Sequence, residues 1–270
     1  MMSKRALSLC WKKKGDQLVE EWLSSSEAAR LFHLNVHQAP ADIFIPAGGR
    51  PQTLHADNVR QFLNASSEPT SRAIIEGANL YLTPEARGEL QNLGVKIIKD
   101  SSANKCGVIC SSFEVLCGLV LTPEEMLEHK QKVVEEILAV LHERAYLEAR
   151  LLLDTHAKTG SFLTVLSDRI SERINQYTDQ LLSHLEHEPW PDDPQHPFVR
   201  VYLQYCLPFL RKNYRQRLLE EVPDIHKKAI VACHIASLLV YTRGLDWRPS
   251  IVDILPVIWE DHRFCGENDT

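Results

Sequence analysis

No Gly-x-Gly-x-x-Gly turn occurs in this chain, and only 11 of its 270 residues are glycine. The phosphate-cradling turn that opens a dinucleotide-binding βαβ unit is thus missing from these residues. No apolar run approaches the roughly 20 residues that a bilayer span needs, so no membrane partner is expected. Lys4 and Arg5 precede no apolar stretch of secretory-signal length, and the acids just behind them argue against a mitochondrial presequence. A basic surplus is lacking too. The net charge is -6 and the pI near 6.1, which leaves no electrostatic footprint for a nucleic-acid partner. Lys12-Lys13-Lys14 is a short run offset by Asp16, Glu20 and Glu21, as on a solvated face. Seven cysteines form no paired framework. They suit reduced thiols and a cytoplasmic location. No internal repeat is present.

What the chain does contain is enough hydrophobic residue, 44%, for a core in one or two domains. From Asp42 to about Thr122, strands and helices alternate. Asp42-Ile43-Phe44-Ile45 is a short apolar run closed by Pro46 and the Gly48-Gly49 turn. Val59, Phe62 and Leu63 recur at helical spacing between Asp57 and Leu63. Arg72-Ala73-Ile74-Ile75 reads as a second strand, ended by Gly77. Thr83-Pro84-Glu85 is a helix start: an N-cap, a proline at the first helical position and an acid in the first turn. Gly94 stops that helix, and Val95-Lys96-Ile97-Ile98 is the third strand. Ser101 or Ser102 then caps a helix towards Leu121. Strands separated by such helices indicate a parallel sheet. The region before Asp42, with Leu18, Trp22, Ala29 and Leu31, reads as mostly helical.

Beyond Thr122 only helices are predicted: Pro123 to about His156 with Gly160 as terminator, Phe162–Leu185, Phe198–Glu220, Pro223–Tyr241 and Pro249–Trp259. Pro189-Trp190-Pro191-Asp192-Asp193-Pro194 is a linker or turn. The fold class is therefore α/β, a partial Rossmann-like parallel sheet followed by an all-α C-terminal domain. The domains are residues 1–122 and 123–270.

Two small-residue loops follow strands directly: Glu76-Gly77-Ala78-Asn79-Leu80 and Asp100-Ser101-Ser102-Ala103-Asn104-Lys105-Cys106-Gly107-Val108. Ligands of open α/β sheets sit at the carboxyl ends of strands. Asn79 and Asn104 are neutral amides, neither acid nor base, suited to orienting a polar ligand. They also suit plain turn and cap roles. Asn104 and Ser111, seven residues apart, would share one helical face near an anion-favouring N-terminus. Cys106, Cys110 and Cys117 lack zinc-ligand spacing and read as core thiols. Cys233-His234 reads as core. His184, His187 and Glu188 read as surface groups rather than metal ligands.

In order, Ala41-Asp42-Ile43-Phe44-Ile45-Pro46-Ala47-Gly48-Gly49-Arg50-Pro51, Glu76-Gly77-Ala78-Asn79-Leu80-Tyr81-Leu82-Thr83-Pro84-Glu85-Ala86 and Asp100 to Glu114 form a combination more specific than any piece. It resembles the later half of the coenzyme domain of glutamate dehydrogenases. The Gly-Gly-Arg-Pro and Ala-Asn-Lys variants resemble the large NAD-dependent class, which carries a helical C-terminal extension. The motifs cover about residues 41 to 120.

That resemblance implies NAD as cofactor, with Asn79, Asn104, Ala47 and Gly48 beside it. It implies Ser111 on the substrate's side-chain carboxylate, with Asn104 near nicotinamide and substrate. Cys106 departs from the family's usual glycine. The resemblance also places the proton-transfer lysine and aspartate, like the Gly-rich turn, upstream of everything here. Hydride transfer needs near-attack geometry and a base. No catalytic residue is therefore assigned, and the isolated chain is expected to be inactive. The implied reaction of the complete enzyme is oxidative deamination of glutamate to 2-oxoglutarate and ammonia. The expected partners are a homo-oligomer or a complementary upstream subunit. The alternative is a non-catalytic helical module for interaction or oligomerisation. A sheet cut at its middle would leave an unpaired edge at Asp42–Ile45 or Arg72–Ile75.

Overall fold

The computed structural model describes residues 7–32, 36–48 and 50–260. Gly49, of the expected Gly48-Gly49 turn, lies outside them. Two compact units are distinguished, Met1–Asn104 and Lys105–Thr270.

The first unit opens with a hairpin, β1 (Leu7–Lys14) and β2 (Gln17–Ser24), where the sequence pattern suggested helix. Gly15, at φ +61°, makes the turn between them. Leu18 and Trp22 are four apart and mimic a helical face. The period-two alternation Leu7, Leu9, Trp11, with Leu9 paired to Trp22 and Leu18 paired to Lys13, is what the chain follows. A short helix α1 (Ser25–Phe32) follows, its Glu27 amide and carboxylate exchanging bonds with Ser24.

Three parallel strands come next: β3 (Ile43–Phe44), β4 (Ala73–Ile75) and β5 (Lys96–Ile98), in the order β3-β4-β5. Ile43 pairs with Ala73, and Ile74 with Ile97. β4, one of the two candidate edges, is therefore central. The edges are β3 and β5, since each strand pairs with the next in sequence. The stretch around Val59–Phe62 is a 3-10 turn rather than a full helix. Helix α2 (Pro84–Asn92) is capped by Thr83, whose Oγ1 accepts from the Ala86 amide. Val59, Phe62, Ile74, Leu82, Leu90 and Ile97 fill the core between sheet, turn and helix, each at most 1% exposed.

The expected single helix after β5 is two: α3 (Asp100–Ala103) and α4 (Cys106–Val120). Asp100–Val120 as a whole reaches a membrane-spanning length and apolar composition, which the residue-by-residue reading did not credit. Of its apolar residues, Ile109, Phe113, Leu116, Cys117 and Val120 are buried, while Val108 and Val115 are exposed.

Among its described residues the second unit consists of helices and the loops that join them, with no strand. α5 (Pro123–Thr159) starts with a capping box of Thr122 and Glu125 and ends at Gly160, φ +68°. α6 (Leu163–Glu186) lays Leu166, Ile170, Tyr177 and Leu181 against α10 (Asp224–Arg243) and its Val231, Ile235 and Leu239. The expected helix Phe198–Glu220 is divided into α7 (Pro197–Tyr205), α8 (Pro208–Asn213) and α9 (Arg215–Glu220). Pro208 has no amide to continue α7, so it begins a new helix instead. α11 (Ile251–Glu260) ends the described chain. Cys106 and Cys233 are exposed, contrary to the core reading. Cys117 is buried, and burial pushes its thiol up to about 11.

Candidate functional site

Parallel pairing brings three strand ends to one side of the sheet. Three loops leave there: Ile45–Gly48 after β3, Glu76–Leu80 after β4 and Lys99–Asn104 after β5. Ala47 and Gly48 are exposed on the first. The Ala78 amide donates to Pro46 O at 2.6 Å. A Cβ on Gly77 would lie 3.4 Å from that oxygen and 3.5 Å from Ala47 Cα, so the first two loops touch.

The second and third loops are joined by the two asparagines. Asn104 Nδ2 donates to Asn79 Oδ1 at 2.7 Å. The pair is 25 residues apart in sequence, yet each amide spends one group on the other. Among the described residues, one amide NH2 and one amide C=O of the pair remain uncommitted, whichever way the amides are turned. That is the complement of a primary carboxamide, which also presents one donor group and one acceptor.

Beneath this pair lies a charged clamp that sequence reading missed. Glu76 is fully buried. It accepts from Arg87 Nε at 3.0 and 3.1 Å, from Arg87 Nη2 at 2.7 Å and from the Asp100 amide at 3.0 Å. Asp100 in turn accepts from the Leu80 amide at 2.8 Å and the Ser101 amide at 2.9 Å. Burial raises the Glu76 carboxyl above its usual range, and the Arg87 guanidinium opposes that shift. A charge-assisted network of this kind fixes the ends of both asparagine loops. The one available sequence signal was a glutamate closing the apolar run Ala73-Ile74-Ile75, since a carboxylate at a strand end needs a partner. Nothing in the sequence singled out Arg87, eleven residues on.

Leu80 holds φ +56°, an uncommon left-handed conformation for leucine, and is 57% exposed. Its amide is fixed by Asp100, and its carbonyl accepts from the Gln52 amide at 2.7 Å. Backbone strain held in place by such bonds is concentrated at ligand sites.

Ser111 sits on α4, exposed, its hydroxyl donating to Val108 O at 3.0 Å. Asn104 is not on that helix, because α3 ends at Ala103 and α4 starts at Cys106. The shared helical face expected for the two residues does not exist. The Cys106 and Cys110 sulfurs lie 3.8 Å apart. Among the described residues no group of three or more His, Cys, Asp or Glu is placed to hold a metal.

The strand-end loops can orient a polar ligand through amides. Their two carboxylates, Glu76 and Asp100, are committed to the clamp.

The profile of the glutamate/leucine/phenylalanine/valine dehydrogenase family matches residues 4–170. The chain is 34% identical to "Glutamate dehydrogenase 2" of Dictyostelium discoideum over 82% of its own length and 22% of the relative's. It is 31% identical to "Probable NAD-specific glutamate dehydrogenase" of Schizosaccharomyces pombe, covering 74% of this chain and 19% of that one. The corresponding values for "NAD-specific glutamate dehydrogenase" of Saccharomyces cerevisiae are 30%, 76% and 20%. The chain thus spans about a fifth of the length of these relatives. No solved structure matches it.

Proposed function

The chain belongs to the glutamate/leucine/phenylalanine/valine dehydrogenase family, and from that premise we propose that it is the C-terminal portion of an NAD-dependent glutamate dehydrogenase. It would supply one wall of the coenzyme site and the helical region that follows. The reaction of the complete enzyme would be oxidative deamination of glutamate to 2-oxoglutarate and ammonia, with NAD accepting the hydride.

The observation that carries this reading is the Asn104–Asn79 hydrogen bond at the strand ends. The uncommitted NH2 and C=O of that pair suit a nicotinamide carboxamide. Ala47 and Gly48 keep the neighbouring loop free of bulk where a cofactor would pass. Ser111 would contact the substrate carboxylate in the assembled enzyme. Glu76, Arg87 and Asp100 would act as positioning residues, holding the loops without touching the ligand. No residue here is assigned as general base, so the isolated chain would be inactive. The base and the phosphate-binding turn would come from other parts of the enzyme, within a homo-oligomer or from a complementary upstream subunit. The chain would work in the cytoplasm, in keeping with its free cysteines, with neither nucleic acid nor membrane as partner.

Titration of the 270-residue chain with NADH, read by fluorescence, tests the proposal. Saturable binding lost in both Asn79→Ala and Asn104→Ala is the expected result. Binding that both variants leave intact would show that the asparagine pair is a turn device only. It would favour the other reading, a helical module for interaction or oligomerisation. Exposed Leu127, Val134 and Leu138 along one side of α5 support that reading.

A further inference from the structure

Within the helical unit, α5, α7 and α10 enclose a cavity of about 750 Å³. That is within the usual range for small-molecule sites. Val140, Leu147, Leu151 and Leu238 give it apolar walls. Arg144 stands on one side. Its guanidinium lies 5.1 Å from the Tyr205 ring centroid and 6.0 Å from that of Phe113. Those two rings are themselves stacked, 5.1 Å apart and 17° from parallel, and Tyr205 OH is tied to Ser112 Oγ at 3.0 Å. The cation therefore rests on a fixed aromatic shelf.

Among the described residues, no carboxylate lies within 4.0 Å of Arg144. The acids that could neutralise it are used elsewhere. Glu148, four residues on and 2% exposed, is bonded through Oε2 to Lys105 Nζ and, at 2.6 Å, to Tyr241 OH, while its Oε1 is buried with no hydrogen-bond partner among the described residues. Asp154 pairs with Arg150 at 3.6 Å. Glu143 is exposed at the mouth, where water screens it. His234 adds no charge, because burial, and then Arg144, lowers its pKa to about 3. Ser237 adds a hydroxyl to the cavity lining.

We infer that this cavity binds a small organic anion, with one acidic oxygen headgroup on Arg144 and an apolar body between α5 and α10. An unpaired guanidinium in a partly enclosed, apolar-walled space is worth most to a ligand that brings the missing negative charge. All of its lining residues belong to the helical unit, and neither strand-end asparagine is among them.

The probe is anilinonaphthalenesulfonate, an aromatic anion, titrated by fluorescence into the full chain. Its neutral counterpart N-phenylnaphthylamine serves as control. One saturable site is expected, weakened about tenfold or more in Arg144→Gln, the loss expected for one charge-assisted hydrogen bond. The neutral probe should not distinguish the variant from the parent. Glu143→Gln, on an exposed position that leaves the fold intact, should tighten the anion and leave the neutral probe unchanged. Trp11→Ser, on the hairpin, should change neither. Displacement by hexanoate would mark a carboxylate ligand, and displacement by hexyl phosphate a phosphate ester. Displacement by neither, or equal affinity of the parent, Arg144→Gln and Glu143→Gln for the sulfonate, overturns the inference.

Discussion

Replacing Glu76 with glutamine tests the clamp under the candidate site. The carboxylate has no exposed surface and takes three bonds from Arg87 and one from the Asp100 amide. Glutamine keeps the volume but turns an NH2 towards a guanidinium that is itself 10% exposed. Arg87 would be left with Asp100 alone, at 3.5 Å. Removing one partner of a buried ion pair costs about 3–5 kcal/mol. A domain the size of Met1–Asn104 has a urea m-value of roughly 1–2 kcal/mol per molar, so its midpoint should fall by about 2–3 M. Far-UV circular dichroism follows the transition. Hydrogen exchange at the Glu76 amide, which donates to Ile98 O at 3.0 Å, assigns it to the sheet. Arg87→Met added to Glu76→Gln removes the orphaned cation and should recover part of the loss, which a double-mutant cycle reads as coupling. NADH binding should weaken in Glu76→Gln under conditions where the chain is still folded, because both asparagine loops are anchored on that carboxylate. A midpoint shift under about 0.5 M, with the two substitutions additive, would refute the reasoning.

Acid sensitivity should come from His234. Its folded pKa is lowered to about 3 against 6.5 unfolded, so only the unfolded chain takes up the proton between those values. The stability present above pH 6.5 is lost as pH falls towards 3, on the order of 4–5 kcal/mol. Urea midpoints at pH 7 and pH 4 should converge in His234→Gln if that is correct, and keep the parental gap if it is not. Alkali acts on Cys117 in the opposite sense: a folded pKa of about 11 against 9.0 lets the unfolded chain ionise first, so stability falls as pH rises from 9 towards 11. Cys117→Ala should flatten that limb while lowering stability at neutral pH. Gly160→Ala should cost about 1–2 kcal/mol, since φ is +68° there and alanine is strained. Open space around the added methyl means that no clash adds to it, and the melting temperature of the helical unit reports the loss.

Much of the architecture was legible in the chain because its signals are local. Thr83-Pro84 and Thr122-Pro123-Glu124-Glu125 start helices where they were expected, since each cap satisfies amides within three residues. Gly94 and Gly160 end them at positive φ. The three strands follow β-branched runs, and the asparagines at the ends of β4 and β5 were visible as loop residues. Pro208 was a legible breaker within the expected Phe198–Glu220 helix, and the structure divides that helix there. The hairpin Leu7–Ser24 was legible as alternation but competed with a helical spacing of Leu18 and Trp22.

Tertiary structure alone decided the rest, because it joins residues with no local relation. It placed β4 in the centre of the sheet, and it split the Asp100–Val120 segment between Asn104 and Cys106. It set Asn104 against Asn79 and Glu76 against Arg87 and Asp100. It also gave Glu148 to Lys105 and left Arg144 on its aromatic shelf with no carboxylate partner among the described residues. A sequence fixes which groups are available and where the backbone turns. Which charges meet, and which stay without a partner, depends on strands and helices brought together across tens of residues, where burial makes every unmet charge costly.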